Sequence, residues 1–335
     1  MMRDTLLPLL VADVGGTFAR FALAQGGRPR QVLTLARDSA GDLPALCAQA
    51  LRQLISPDSS PVAGAAIAVA APVSGGRAHM TNVDWDVDER ALAEALALER
   101  VLLVNDFAAL ALSLPALEPG DMLSVPPGNA APAGDAPRVV FGPGTGLGVA
   151  ALFFHPDGSP LPIASEGGHI SFAPASRFEE SVRDHAAARF ERVSWERILS
   201  GPGLELIDEV ARRELGGPSG PRTTPQIVDA ARAGTCLAAA HSVACFAGLL
   251  GSFGGDLALM FRATGGVVIG GGIAARIAPL ISLAGVRERF SQKGRFSVWL
   301  AALPLSILLS PNAALSGAAR AFAERFPETA DPAGN

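Results

Sequence analysis

The sequence predicts a fold of the α/β class, in which buried strands alternate with helices. Short apolar runs rich in valine, isoleucine, leucine and alanine, such as 62–71 and 101–104, have the length of strands buried within a sheet. Longer segments such as 203–215 repeat apolar residues at helical spacing. Because the two kinds of segment alternate along 335 residues, the chain is long enough for two α/β domains.

Elements can be assigned in chain order from periodicity, caps and turn residues. The first part gives strands over 9–14, 18–24 and 62–71, a helix from the cap Asp88 to 98, a strand over 101–104 and a helix over 107–114. Residues 115–137, rich in proline, glycine and alanine, predict a crossing between domains. The second part gives strands over 139–141 and 149–154, helices over 179–199 and 203–215, a helix capped by Thr224, a long helix over 236–261, strands over 266–269 and 303–309, and a helix over 313–326.

Composition excludes several classes of protein. Lys293 is the only lysine, whereas a P-loop protein needs Gly-Lys-Ser/Thr and a protein kinase needs a lysine on an early strand. The formal net charge is -5 and no basic stripe occurs, so we expect no nucleic-acid partner. Cys47, Cys236 and Cys245 lie outside any Cys-x-x-Cys pair, which disfavours a zinc or redox motif and predicts reduced, buried thiols in the cytoplasm.

The apolar stretches predict buried elements of a soluble protein. The run 6–11 is followed at once by Asp13 and two glycines, so a first strand explains it better than a signal peptide. The run 237–261 carries polar residues, His241 among them, and the run 298–309 is too short to span a bilayer. We therefore expect no membrane association, and we expect His241 to be a satisfied core histidine.

Two glycine-threonine turns between buried strands carry the first functional signal. They are Gly15-Gly16-Thr17, which follows Asp13, and Gly144-Thr145-Gly146. A dinucleotide-binding motif would open a helix, whereas 149–154 has the pattern of a strand. Glycine lets the backbone approach a phosphate, and threonine adds a hydroxyl donor. The turns therefore predict phosphate binding, with Asp13 placed to hold Mg²⁺ through waters; ordinary hairpins without a ligand are the alternative.

Polar groups at three other points are candidates for binding the acceptor of a phosphoryl group. Asn105-Asp106 follows a buried strand, at the edge where open α/β sheets bind ligands, and an aspartate there can accept a hydroxyl proton. Taken alone, Asp106 is better explained as a helix N-cap. Glu166 and His169 flank two glycines in a loop and can bond sugar hydroxyls, although a plain surface loop is the alternative. Glu196, near the end of a predicted helix, would alone be a solvated residue.

Six segments together carry a family resemblance. In chain order they are Val11-Ala12-Asp13-Val14-Gly15-Gly16-Thr17, Asn105-Asp106-Phe107, Gly144-Thr145-Gly146-Leu147-Gly148, Glu166-Gly167-Gly168-His169, Glu196-Arg197-Ile198-Leu199-Ser200-Gly201-Pro202-Gly203 and Gly270-Gly271-Gly272-Ile273. They resemble the bacterial ATP-dependent glucokinases, in order along nearly the whole chain. The resemblance implies the two-domain actin-like ATPase (ribonuclease H-like) fold with an interdomain cleft. It implies a small domain over 1–115 and 312–335 and a large domain over 116–311.

The resemblance also implies a role for each matching residue. Asp106 would be the general base for the sugar 6-hydroxyl. The implied glucose-binding set is Asn105, Asp106, Glu166, His169 and Glu196. The implied ATP-binding residues are Ala12, Asp13, Val14, Gly15, Gly16 and Thr17 in the first turn, Gly144, Thr145 and Gly146 in the second, and Gly271 and Gly272 in the nucleotide pocket. Mg²⁺ would arrive with ATP, no resident metal is expected, and family members are commonly homodimers.

The chain departs from the family pattern at a few positions. Phe18 stands where the family usually has Asn, so the first turn lacks the polar side chain that Asn would supply. Ala12 replaces the usual Gly, and Pro143 stiffens the second turn. The zinc-binding cluster of the repressor-and-kinase relatives is missing, so those relatives match less well.

Three alternatives to a glucokinase stay open from the sequence. One is a kinase of another hexose, or one that uses polyphosphate. Another is a sugar-sensing regulator with the same cleft, although such a protein usually lacks the base that Asp106 would supply. The last is a structural ATPase of the same fold, which would have no use for the Glu166, His169 and Glu196 set.

Overall fold

A computed structural model describes residues 7–56, 60–81, 83–127, 134–217 and 220–327. The chain divides into two compact units, one of Met1–Leu117 with Pro311–Asn335 and one of Glu118–Ser310. Each unit contains its own central sheet.

The smaller unit is an α/β layer structure. Its strands are β1 (Leu9–Val14), β2 (Phe18–Gln25), β3 (Arg28–Ala36), β4 (Gly64–Val69), β5 (Val73–Ser74), β6 (Arg77–Met80), β7 (Trp85–Asp88) and β8 (Val101–Asn105), and its first helices are α1 (Leu43–Leu54), α2 (Glu89–Leu96) and α3 (Asp106–Ser113). The main sheet has the order β3-β2-β1-β4-β8, in which β1, β4 and β8 are parallel and β1, β2 and β3 form antiparallel pairs. Strands β5, β6 and β7 form a separate antiparallel sheet.

The parallel strands of this unit bring two predicted segments to one edge. Val14 of β1 lies level with Val69 of β4, and Val69 lies level with Asn105 of β8. Since neighbouring strands are about 4.8 Å apart, the ends of β1 and β8 are roughly 10 Å apart. The first glycine turn and Asp106 therefore leave the sheet at the same edge.

Strand β1 is buried on both faces, and its alternation fixes the direction of Asp13. Leu10 and Val14 pack in the apolar cluster formed with α1 and α2, whereas Leu9 and Val11 pack in the cluster formed with α3. Because successive side chains of a strand point to opposite faces, Asp13 lies on the face of Leu9 and Val11. This is the face that carries α3, whose first residue is Asp106.

The larger unit has a six-stranded sheet surrounded by helices. Its strands are β9 (Met122–Ser124), β10 (Arg138–Pro143), β11 (Leu147–Phe154), β12 (Pro160–Ser165), β13 (Val267–Ile269) and β14 (Leu305–Leu308), and its helices are α4 (Arg177–Ala187), α5 (Trp195–Ile198), α6 (Gly201–Leu215), α7 (Thr224–Arg232), α8 (Leu237–Phe261), α9 (Gly272–Ile277), α10 (Leu283–Ser291) and α11 (Ser297–Ala302). The sheet order is β12-β11-β10-β13-β14-β9. The chain then returns to the smaller unit with α12 (Ala313–Arg325), which packs on α3.

Helix α8 is the central helix of the larger unit. Among the described residues it is the one helix that is long and apolar enough to cross a membrane, and 61% of its most apolar window is buried within the protein. Phe246 and Phe253 are fully buried, and the Phe253 ring meets the Phe141 ring edge-on at 5.2 Å between centroids. These contacts are those of a core helix, as the sequence predicted.

Several predicted boundaries are wrong in detail. The helix expected over 179–199 is two helices, α4 and the single turn α5, so Glu196 lies in the first turn of a short helix capped by Ser194. Asn105, not Asp106, caps α3, and Thr223, not Thr224, caps α7. The second glycine turn is shorter than expected, because β10 runs to Pro143 and β11 begins at Leu147.

Two expectations about single side chains also fail. His241 is exposed, with its ring edge-on to Phe178 at 4.5 Å between centroids, so it is no core histidine. Cys47 is buried, whereas Cys236 and Cys245 are only partly buried. All three thiols are free.

The three thiols differ in acidity. Burial raises the pKa of the Cys47 thiol, and it raises the pKa of Cys245 to about 12. Burial also acts to raise the pKa of Cys236, but hydrogen bonds from the first turn of α8 and from Arg222 outweigh it and lower that pKa. The Arg222 guanidinium lies 3.2 Å from the Cys236 sulfur.

Candidate active site

The first glycine turn joins β1 to β2 and presents its backbone to solvent. The Gly15 N–H donates to the Phe18 carbonyl at 3.1 Å, and the Arg37 N–H donates to the Thr17 carbonyl at 3.1 Å. Thr17 is exposed, and Phe18 is 58% exposed. The turn is thus held at its base by backbone bonds, while Thr17 stays open to a ligand.

Asp13 lies directly before this turn, in a partly buried position. In the hairpin register it faces Arg20, whose Nη1 lies 3.4 Å from Asp13 Oδ2. Burial raises the pKa of the Asp13 carboxyl, and the charge and hydrogen bond of Arg20 partly offset this effect.

Asp13 has the donor chemistry that Mg²⁺ requires. Its carboxylate supplies hard oxygen ligands and keeps 20% of its side chain exposed. Within the described ranges there is no group of three or more His, Cys, Asp or Glu residues that could hold a metal ion. The Asp13 carboxylate, beside a turn predicted to bind phosphate, fits a cation that takes most of its ligands from phosphates and from water.

Asn105 and Asp106 form the junction between β8 and α3. Asn105 Oδ1 accepts from the Phe107 and Ala108 N–H groups at 3.1 and 3.0 Å, which is the cap of the helix. Its amide nitrogen donates to the Ala71 carbonyl at 3.2 Å and to Asp106 Oδ1 at 3.1 Å. Because Asn105 caps the helix, the first-turn carboxylate of Asp106 is not needed for that purpose.

The second glycine turn joins β10 to β11 in the larger unit. The Gly144 N–H donates to the Gly146 carbonyl at 2.8 Å, and the Gly201 N–H donates to the Gly144 carbonyl at 2.9 Å. Gly144 and Thr145 are exposed. This turn is thus anchored to the first residue of α6.

The two predicted nucleotide-pocket glycines differ in their packing, and only Gly271 approaches the strand that leads into this turn. Gly271 has a φ of +83°, in the region that favours glycine, and an added Cβ would lie 2.4 Å from the Pro143 carbonyl oxygen. Gly272, the first residue of α9, has open space where a Cβ would stand. Pro143 therefore sits between the second turn and Gly271, rather than within the turn.

The three polar side chains predicted for a sugar meet in the larger unit. His169 Nε2 lies 3.7 Å from Glu166 Oε2, and His169 Nδ1 lies 3.9 Å from Glu196 Oε1. Glu196 Oε2 accepts the N–H of Leu147 at 2.9 Å, immediately after the second glycine turn. The structure thus links this polar set, through Glu196, to the end of the turn predicted to hold phosphate.

Backbone pairing explains why residues so far apart in sequence meet. The Trp195 N–H donates to the Ile170 carbonyl at 3.0 Å, and the Phe172 N–H donates to the Val193 carbonyl at 3.0 Å. Trp195 is 2% exposed and anchors α5 in the core. The segment that carries Glu196 is therefore fixed against the segment that follows His169.

Sequence reasoning missed several residues around this set. A cavity of about 200 Å³ adjoins Thr145 and Glu196, and its other lining residues include Phe190 and Arg197. The Arg197 guanidinium stacks on the Phe190 ring at 4.1 Å from the centroid. Arg197 lies inside a segment that carries the family resemblance. Phe190 follows α4, and no sequence pattern around it indicates a binding site.

Comparisons with known proteins agree on one family. A family model described as Glucokinase matches residues 10–325. The chain is 42% identical to a glucokinase of Aromatoleum aromaticum over 94% of both chains. It is 39% identical to the Bifunctional protein glk of Burkholderia orbicola over 95% of this chain, but it spans only 49% of that relative's length. The crystal structure of a glucokinase from an Antarctic psychrotroph has a TM-score of 0.80 and 32% identity, covering 95% of this chain and 99% of the other. These similarities confirm the two-domain actin-like ATPase fold.

Proposed function

The chain belongs to the glucokinase family, and from that premise we propose that it transfers the γ-phosphate of ATP to the 6-hydroxyl of D-glucose. The products are glucose 6-phosphate and ADP. One observation supports this most strongly: Glu166, His169 and Glu196 meet beside the second glycine turn. A phosphate turn next to a cluster of hydroxyl-binding groups suits a kinase of a polyhydroxy acceptor.

The polar set fits sugar hydroxyls in its chemistry. The two carboxylates accept hydrogen bonds from hydroxyls, and the imidazole between them can donate or accept a hydrogen bond. Glu196 keeps 27% of its side chain exposed and His169 keeps 54%, so both are open to a ligand. We assign these groups, with Asn105 and Asp106, to glucose.

Asp106 is the proposed general base. It follows β8 at the carboxyl edge of the five-stranded sheet of the smaller unit, the kind of edge where open α/β sheets bind ligands. Its Oδ1 is oriented by the Phe107 N–H at 2.9 Å and the Asn105 amide at 3.1 Å. A carboxylate held in this way takes the proton of the attacking hydroxyl while phosphoryl transfer proceeds.

We assign Asp13 and each of the two glycine turns to ATP. Backbone N–H groups and the hydroxyls of Thr17 and Thr145 bind the phosphates, and Gly271 and Gly272 contribute to the nucleotide pocket. Asp13 would hold the Mg²⁺ that accompanies ATP, which neutralises charge on the phosphates. Positioning and charge stabilisation then supply most of the rate acceleration. We further propose that the enzyme is cytoplasmic and forms a homodimer.

A coupled assay tests the function. Purified protein is supplied with glucose and ATP-Mg²⁺, and ADP release and glucose 6-phosphate are measured separately. Polyphosphate then replaces ATP, and fructose, mannose or N-acetylglucosamine replaces glucose. We expect the highest kcat/KM for glucose with ATP. A faster reaction with another hexose or with polyphosphate would refute the assignment of substrate, and ADP release without any sugar would point to an ATPase.

A further inference from the structure

The backbone of one residue, Leu147, is approached by two of the proposed sugar-binding segments at the end of the second glycine turn. The Leu147 N–H, directly after the second glycine turn, donates to Glu196 Oε2 at 2.9 Å. On its other side, a Cβ added at Gly168 would lie 2.2 Å from the Leu147 carbonyl oxygen. The sugar-binding segments at Gly168 and Glu196 thus hold the end of the phosphate turn from both sides.

The Glu196 carboxylate also fills the space beside Gly146. A Cβ added there would lie 2.5 Å from Glu196 Oε2, whereas a Cβ at Gly144, two residues earlier, would meet nothing within 4 Å. Neither glycine has a positive φ, so alanine suits both backbones. Since the atom in the way at Gly146 is the end of a flexible side chain, alanine would displace the carboxylate and leave the backbone in place.

We infer that Glu196 is the positioning residue of the second phosphate turn as well as a sugar ligand, so that sugar and nucleotide tighten each other's binding through the Gly146–Leu147 peptide. One carboxylate oxygen is fixed by Leu147, and the other faces His169 Nδ1 at 3.9 Å. A sugar that orders this carboxylate also orders the turn, and phosphates that order the turn fix the carboxylate. Binding coupling of this kind is reciprocal. The inference rests on the proposed function, because it takes glucose and ATP as the two ligands.

The test compares Gly146→Ala with the matched control Gly144→Ala. Calorimetry gives the Kd of glucose with and without a non-hydrolysable ATP analogue, and the ratio of the two values is the coupling factor. For the wild type we expect a factor of about 5 or more. In Gly146→Ala, we expect the Kd of glucose without nucleotide to rise on the order of tenfold to a hundredfold, the range for loss of a charge-assisted hydrogen bond. We also expect the coupling factor to fall towards 1. In Gly144→Ala, where an added Cβ meets nothing within 4 Å, glucose binding without nucleotide weakens far less than in Gly146→Ala.

Two further variants separate positioning from a general loss of structure. Glu196→Asp keeps the charge but is one methylene too short to bond Leu147, so it should also lose the coupling factor. Glu166→Gln should weaken glucose binding and keep the factor, because Glu166 makes no contact with the turn that the structure records. A rise in KM for ATP at saturating glucose should accompany the loss of coupling in both Gly146→Ala and Glu196→Asp.

The outcomes are distinct. If Gly146→Ala and Glu196→Asp keep the wild-type coupling factor, the positioning role of Glu196 is wrong while the glucokinase assignment stands. If Glu166→Gln loses the factor to the same extent, coupling does not run through Leu147 and the inference is again overturned. If the wild type neither binds nor phosphorylates glucose, the proposed function itself fails.

Discussion

Replacing Asp106 with asparagine separates its proposed catalytic role from its structural one. In the structure Asp106 Oδ1 accepts from the Phe107 N–H and the Asn105 amide, and an asparagine carbonyl oxygen can accept both bonds. Asn105 caps α3 independently of Asp106. The substitution therefore removes the base and the negative charge with almost no change in shape.

The two effects of Asp106→Asn differ widely in size. Loss of a carboxylate from the first turn of a helix costs about 0.3–1 kcal/mol of stability. Loss of a general base lowers kcat by about 10²–10⁴-fold, or roughly 2.7–5.4 kcal/mol of activation free energy at 1.36 kcal/mol per tenfold. We therefore expect kcat to fall by at least two orders of magnitude while the protein remains folded.

The assay is kcat with saturating glucose and ATP-Mg²⁺, with thermal unfolding as the structural control. We expect kcat at least a hundredfold lower, glucose affinity changed much less, and unfolding within a few degrees of the wild type. A variant that keeps kcat within tenfold would show that Asp106 is not the base. A variant that unfolds at room temperature would show that its structural role was underestimated.

Two further predictions concern stability and thiol chemistry. A Cβ at Gly317 of α12 would lie 1.7 Å from the Ala109 carbonyl oxygen of α3, so Gly317→Ala should lower the free energy of unfolding by about 1–3 kcal/mol. Gly41→Ala, where a Cβ meets nothing within 4 Å, is the control in the same chemical denaturation; equal stability of the two variants would contradict the close packing of α12 on α3. The lowered pKa of Cys236 gives it the largest thiolate fraction near pH 8, so peptide mapping after brief iodoacetamide treatment should find it alkylated first. Arg222→Gln should slow that reaction by raising this pKa, and a faster reaction at either other cysteine would contradict the assignment.

Local patterns predicted those parts of the fold that short-range chemistry determines. The hairpin of β1 and β2 was predicted with its first strand complete, because glycines sit where the turn requires them and apolar residues flank it. Helix α8 was predicted to within a residue of its ends. A long apolar segment that is buried must pair its own backbone N–H and C=O groups, and a helix does so within the segment. Strand β12 was missed, because Pro160 and Pro162 obscure a strand that lies at the edge of its sheet.

The arrangement of the candidate site depended on contacts that no local pattern encodes. Glu196 has the sequence context of a helix residue, and only the backbone bonds of Trp195 to Ile170 and of Val193 to Phe172 bring it to His169. The sequence predicted Asp106 as the N-cap of α3, whereas Asn105 is the cap in the structure, for a similar reason. Either residue type can cap a helix, and the choice follows from the amide of Asn105, which also bonds Ala71 on a neighbouring segment. The sequence therefore suggested the candidate residues, while their geometry required the fold.

The position of the new phosphate on the sugar shows directly whether the 6-hydroxyl of glucose is the acceptor. Glucose and ATP-Mg²⁺ are incubated with the wild-type enzyme, and the sugar product is analysed by ³¹P NMR with proton coupling. We expect a single phosphomonoester whose phosphorus couples to the two C6 protons, and no such signal with Asp106→Asn over the same time. A phosphate coupled to the anomeric proton, or inorganic phosphate as the only product, would contradict it.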